Sequence, residues 1–351
     1  APPDHLAPTE LDRLVFERGF PITDPGVTTF AYRGDVDAVR LLHFGIGLPD
    51  DLTFERLPDS NWWLLSLTLP AGTRLEYRLQ IVDGDHTWDT EDPLNPLEAR
   101  NPFGQNSVCR SHGYSVPPWA EHDPAVPVGL QRSLTVPSRH LGRPVHVHLY
   151  LPATFSMDPE HRFPLVVMHD GTDYFHYADA ATVLDNLIHR GLTPEVVVAF
   201  CDPGERLVEY ADDERHARFI AEELVPYLEG HLPLIGDRNH RCLGGASFGA
   251  VATLSTAARF PDTFGRLLLQ SGSFDGAGAD QGGIDRDAPL WQPVRRFVDR
   301  FVADPIRVAD RIYLSCGIWE PLVCDNRAIR PVLAGTGANV VLEELGDGHT
   351  W

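Results

Sequence analysis

The chain has 351 residues, 43% of them hydrophobic and 23% charged, which fits a globular fold and is long enough for two domains. Its formal charge is −21, and every basic side chain is an arginine. That balance excludes a nucleic-acid partner, Schiff-base chemistry and a P-loop lysine.

The opening residues, Ala1-Pro2-Pro3-Asp4-His5, do not have the pattern of a signal peptide, and the longest apolar runs, at 164–168 and 196–201, have strand length. No membrane association is expected. The five cysteines, Cys109, Cys201, Cys242, Cys316 and Cys324, are odd in number and form no C-x-x-C pair. A reduced, cytoplasmic compartment is expected, without a zinc site.

In chain order, residues 27–116 read as all-β. Segments 27–32, 39–44, 62–69 and 75–82 carry β-branched and aromatic residues partly alternating with polar ones. Turn clusters at Gly34-Asp35, Pro70-Ala71-Gly72 and Asp83-Gly84-Asp85 separate them. Strands at this spacing predict a β-sandwich over residues 1–116. Residues 117–128, rich in proline and acid, read as a linker.

From 129 to 351 the pattern becomes α/β. Strands are predicted at 132–136, 144–151, 164–169, 195–201, 240–243, 266–271, 311–316 and 339–345. A helix is predicted over 211–230, where Phe219, Ile220, Leu224, Tyr227 and Leu228 form an apolar stripe. The alternation predicts a doubly wound, mostly parallel sheet. Residues 276–287, rich in Gly and Asp, read as a mobile loop near the site.

The chemistry concentrates at Gly245-Ala246-Ser247-Phe248-Gly249, a G-x-S-x-G sequence between a strand-like stretch and a small-residue helix that Pro261 ends. Strand, tight turn and helix are the setting of a nucleophile elbow. Glycines permit the strained turn, and the helix N-terminus aims N–H groups at developing negative charge. Ser247 is therefore the candidate nucleophile. A serine needs a base and a group that orients the base. The chain order serine, acid, histidine makes His349 the base, in the loop after the last strand. Glu320, just after the strand at 311–316, is the first candidate acid. Asp325 is the alternative, and Asp347 a third that suits a turn better.

Two donors must meet the oxyanion. The Phe248 N–H is one, and the Thr172 N–H, in the loop Asp170-Gly171-Thr172-Asp173 after the strand at 164–169, is the second. Arg206 and Glu209, three apart, are expected to pair at the pocket rim. His146 and His148 alternate on one strand face like half a metal site, but no third ligand is in view, and no metal is expected.

These residues resemble those of the esterase D-like α/β-hydrolases, which include enterochelin (ferric enterobactin) esterases, feruloyl esterases and mycolyl transferases. The shared elements are Asp170-Gly171-Thr172, the segment 206–210, Gly244 to Gly249, the segment 317–321 and Gly348-His349. The first half is similar to the sandwich preceding the hydrolase in enterochelin esterases, through Trp88-Asp89, Asp92-Pro93-Leu94-Asn95-Pro96 and residues 104–108. The resemblance implies two domains: an N-terminal immunoglobulin-like (early-set) sandwich followed by an α/β-hydrolase. It implies hydrolysis of a ferric catecholate trilactone, a small-molecule ester, with iron released in the cytoplasm. Asp170, Gly171 and Arg206 are then expected to bind substrate, with Arg110 a second candidate cation. No cofactor is called for, since any iron would arrive with the substrate. The alternative is a feruloyl or acetyl esterase acting on plant polysaccharide, with the sandwich holding the glycan. From another class comes a carbohydrate- or protein-binding module carrying a degenerate hydrolase, which an intact Ser247 and His349 argue against.

Overall fold

The structure, a computed structural model, describes residues 8–17, 19–43, 45–49, 52–278 and 285–351. Its contacts divide the chain into two compact units. The first comprises Ala1–Ser115 together with Gly317–Glu320 and Gly346–Trp351; the second comprises Val116–Cys316 and Pro321–Leu345.

In the first unit, β1 (Ile22–Asp24), β2 (Val27–Arg33), β4 (Glu55–Arg56) and β5 (Trp62–Leu67) form an antiparallel sheet in the order β1-β2-β5-β4. A second antiparallel sheet takes β3 (Ala38–His43), β6 (Arg74–Asp83), β9 (Gly104–Arg110) and β8 (Glu98–Asn101) in that order, with β7 (His86–Thr90) also paired to β6. Phe30, Trp63 and Leu67 of the first sheet meet Val39, Leu41, Tyr77, Leu79 and Cys109 of the second in one core. That shared core is why alternate positions of these strands are apolar.

One helix, α1 (Pro8–Glu17), precedes the strands and buries Leu11 in a smaller cluster with Phe20, Ala31 and Trp62. The Asp92-Pro93-Leu94-Asn95 stretch forms a buried knot. The Tyr77 hydroxyl donates to Asp92 (2.6 Å), and the Asn95 amide donates to Tyr77 and to the Val108 carbonyl. Burial pushes the Asp92 carboxyl up to about 6.

The second unit is built on an eight-stranded sheet. Its strands are β10 (Leu130–Ser138), β11 (Arg143–Leu151), β12 (Leu165–His169), β13 (Val197–Cys201), β14 (Arg241–Ala246), β15 (Arg266–Gln270), β16 (Arg311–Gly317) and β17 (Asn339–Leu345). They lie in the order β10-β11-β13-β12-β14-β15-β16-β17. The five from β13 to β16 pair in parallel, while β10 and β11 pair antiparallel at one side. Parallel strands are covered on both faces, and β13 is buried at every position.

The connections are α2 (Gly171–His176), α3 (Ala180–His189), α4 (Arg206–Glu209), α5 (Glu214–Arg218), α6 (Val225–His231), α7 (Phe248–Arg259), α8 (Trp291–Ala303) and α9 (Val323–Gly335). A π-helical segment, Phe219–Leu224, joins α5 to α6, so the helix expected at 211–230 is one rod with a widened middle. No helix among the described residues is long and apolar enough to cross a membrane.

Candidate active site

Ser247 sits alone between β14 and α7 with φ 58° and ψ −119°, a conformation that non-glycine residues rarely adopt. The flanking backbone fixes it there. Its N–H donates to the Gln270 carbonyl (2.9 Å), and its carbonyl accepts from Ala250 (3.1 Å) and Ser273 (3.2 Å). Both motif glycines are required by space. A Cβ on Gly245 would lie 2.6 Å from the Gly249 carbonyl group, and one on Gly249 would press on His169 and Asp170. Phe248 opens α7, so its N–H has no partner within the helix and belongs to the positive end of the macrodipole. The serine Oγ lies 3.0 Å from the Ser273 Oγ. Nothing in the sequence pointed to Ser273, which stands in the turn after β15.

Beneath the elbow lies a buried pair of imidazoles. The His169 Nδ1–H donates to the Gly244 carbonyl (2.9 Å), which leaves Nε2 to accept from His216 Nε2 at 3.0 Å. Burial pushes His169 down to about 4 and His216 well below its usual value, so both rings are neutral near pH 7.

The candidate base and acid lie in the loops that leave β17 and β16. The His349 Nδ1–H donates to Glu320 Oε2 at 2.7 Å, and Glu320 is 1% exposed. The other Glu320 oxygen accepts the Gly317 N–H at 2.7 Å. This fixes the carboxylate, sets the imidazole tautomer and leaves the Nε2 lone pair to take a proton. The first unit holds both loops. Arg74 on β6 donates from its backbone to Gly346 (2.9 Å) and from its guanidinium to Thr350 Oγ1 (2.9 Å), and Trp319 donates its N–H to the Asp347 carbonyl (3.2 Å). Asp347 closes the turn by accepting from the Gly348 N–H and the Thr350 hydroxyl. Burial raises its carboxyl.

Several expectations change. Asp325, the alternative acid, is fully buried in an ion pair with Arg286 (2.8 Å) and accepts the Gly278 N–H (3.0 Å). Its charge is thus committed to the segment read as a mobile loop. Residues 279–284 of that segment lie outside the described residues, and its described flanks are tied down, since Asp275 also pairs with Arg286 and Arg295.

Arg206 does not pair with Glu209. It grips Asp170 through two 2.7 Å hydrogen bonds, while Glu209 takes Arg143. Asp170 is buried and Arg206 is charge-paired, so neither offers an uncompensated charge to a substrate. Gly171 is small because a Cβ there would meet the Phe200 carbonyl at 2.6 Å. The loop expected after β12 is instead the start of α2, and the Thr172 N–H already donates to Asp202 Oδ1 at 2.7 Å. As arranged, that N–H is spent on a carboxylate and cannot serve as the second oxyanion donor.

Residues 138–336 match the Esterase family. Over 236 residues the chain is 26% identical to the iron(III) salmochelin esterase of Escherichia coli O6:H1, covering 62% of this chain and 56% of that relative. It is 22% identical over 327 residues to the iron(III) enterobactin esterase of Escherichia coli K12, covering 85% and 77%. The chain spans little more than half the length of the first curated relatives it matches. The crystal structure of ferric enterobactin esterase from Salmonella typhimurium superposes with a TM-score of 0.78 at 21% identity, over 97% of this chain and 94% of that one. With the family match spanning more than half of its length, the chain belongs to the Esterase family, and enterobactin esterases are among the proteins it is similar to.

Proposed function

We propose that this protein is a serine esterase that hydrolyses the ester bonds of a ferric catecholate trilactone of the enterobactin type. The observation that carries the reading is the extent of the structural likeness to ferric enterobactin esterase, which runs through both units rather than the esterase portion alone. In the proposed mechanism Ser247 Oγ attacks a seryl ester carbonyl and passes its proton to His349 Nε2. Glu320 holds the imidazole and balances its charge, as its 2.7 Å hydrogen bond to Nδ1 suits it to do. The Phe248 N–H stabilises the oxyanion. The seryl alkoxide leaves with the proton from His349. Water, deprotonated by the same imidazole, then frees the acyl group and restores Ser247.

The domain assignment proposed alongside is an N-terminal sandwich (1–116), a linker (117–128) and a hydrolase (129–351). A cytoplasmic location is proposed too, consistent with five free cysteines. Iron is cargo of the substrate and takes no part in these steps.

The reading is tested by offering the purified protein ferric enterobactin and a feruloylated arabinose ester together and identifying products by mass spectrometry. Dihydroxybenzoyl-serine units are expected. Release of ferulate alone would move the enzyme to polysaccharide esters.

A further inference from the structure

The register of β11 and β13 assembles a three-residue cluster that the esterase chemistry does not use. His146 and His148 lie two apart on β11, hence on one face. β13 runs antiparallel to β11, with Phe200 opposite His148; the Asp202 N–H, one residue past the strand, donates to the His146 carbonyl at 3.1 Å. That places the Asp202 carboxylate on the same face as both imidazoles. His146 Nδ1 lies 3.0 Å and His148 Nε2 3.6 Å from Asp202 Oδ2, and one donor atom from each residue lies within 4.8 Å of the others.

We infer that His146, His148 and Asp202 form a binding site for a divalent first-row transition ion, with Zn²⁺ the best fit. Bonds of about 2.0–2.1 Å in a tetrahedral arrangement put neighbouring ligand atoms roughly 3.3 Å apart. Two of the contacts bracket that value, at 3.0 and 3.6 Å, and the Thr172 hydroxyl, which donates to Asp202 Oδ2 (2.8 Å) and lies 3.1 Å from His148 Nε2, must turn aside for an ion to take both atoms. Two imidazoles and one carboxylate are a borderline-soft donor set, suited to Zn²⁺ and not to Mg²⁺ or Ca²⁺.

The surroundings orient the ligands as outer partners of a metal site do. The second Asp202 oxygen is held by the Thr172 N–H at 2.7 Å, and His148 Nδ1 lies 3.4 Å from the Ser133 hydroxyl. Phe175 packs on the His148 ring. All three ligands are partly exposed, which gives an ion an entry path and leaves a fourth position for water. The ion would pin the end of β13 to β11 beside the first turn of α2.

Calorimetric titration of the metal-free full-length protein with ZnCl2 tests this, with Co²⁺ as a spectroscopic probe. Wild type is expected to take up one Zn²⁺ per chain with Kd below about 10 μM, and zinc is expected to raise its Tm. The Co²⁺ form is expected to show the intense visible bands of four or five coordination without thiolate charge transfer. In the H146A/H148A variant this binding should weaken at least about 100-fold, since both imidazole ligands are gone. The two imidazoles are on the surface side of β11, and the variant's metal-free Tm serves as the check on its folding. The site is refuted if wild type binds zinc only above about 10 μM. It is equally refuted if the double variant, folded as wild type, keeps the same stoichiometry and affinity, which would assign the zinc to other histidines or cysteines.

Discussion

Ser247 at φ 58° is held by its neighbours rather than by its own preference, because Gly245 and Gly249 bring β14 and α7 together on either side. S247A removes one oxygen from a side chain whose backbone is fixed by hydrogen bonds to Gln270, Ala250 and Ser273. Ester turnover should fall by at least about 10⁴-fold with Tm unchanged, read by steady-state assay and thermal unfolding. E320Q keeps the shape but loses the charge facing His349 Nδ1–H, and kcat should fall about 10³–10⁴-fold with little change in KM. The imidazoles beneath the elbow make a different prediction. His169 is neutral in the fold down to about pH 4, whereas the unfolded ring binds a proton below about 6.5. Stability is therefore fully present above pH 6.5 and is lost as pH falls towards 4, by about 1.4 kcal/mol per pH unit for each buried ring. Urea unfolding across that range should show the slope, and H216F should reduce it by about one ring's share. At this scale the sequence made Ser247, His349 and Glu320 candidates because each stands at a fixed place after a strand. The partners of Arg206 and Thr172 were illegible, since Asp170 and Asp202 compete for them across 36 and 30 residues and spacing carries no record of that competition.

At the scale of elements, Arg74 is the link between β6 and the loop that carries His349. R74A deletes the guanidinium bond to Thr350 and leaves Asp347 without its cation, so the base loop loses its side-chain anchor. It should lower kcat at least about tenfold, since small misplacement of a base is costly, while a fluorophosphonate still labels the serine. Helix α8 buries Trp291, Val294, Phe297, Val298 and Phe301 along one stripe. F297A should destabilise the protein by about 3–5 kcal/mol in urea unfolding. Long strands with apolar runs were legible within a few residues, as in β11, β12 and β17. The short edge strands were not: β7 and β4 are exposed along most or all of their length, so no burial pattern marks them. Helix α1 carries an apolar stripe at helical spacing, Leu11, Leu14 and Val15, against the cluster of Phe20, Ala31 and Trp62, and a sequence expectation that places no element before residue 27 passes over it. That Asp202 lies beside His146 and His148 was not legible, because sheet register brings it to His146 across 56 residues.

For the whole molecule, the charge of −21 bears on an anionic substrate. Without a cationic patch to offset that field, protein and ferric catecholate repel each other, and salt screens the repulsion over a Debye length of about 10 Å at 0.1 M. kcat/KM for ferric enterobactin should therefore rise as NaCl goes from 10 to 150 mM. A fall would show that arginines outside the Asp170 pair steer the substrate in. The two-part plan was visible in the change from alternating strands to strands interleaved with helices near residue 130. That Gly317–Glu320 and Gly346–Trp351 group with the first unit was not, because tertiary contacts alone decide it. The most direct test of the central claim is covalent. Wild type and S247A are treated with a fluorophosphonate, the modified peptide is mapped by mass spectrometry, and residual hydrolysis of ferric enterobactin is measured on the same samples. A single adduct on Ser247, with turnover lost in step with labelling and absent from S247A, is the predicted result. Undiminished hydrolysis in fully labelled protein or in S247A would contradict it.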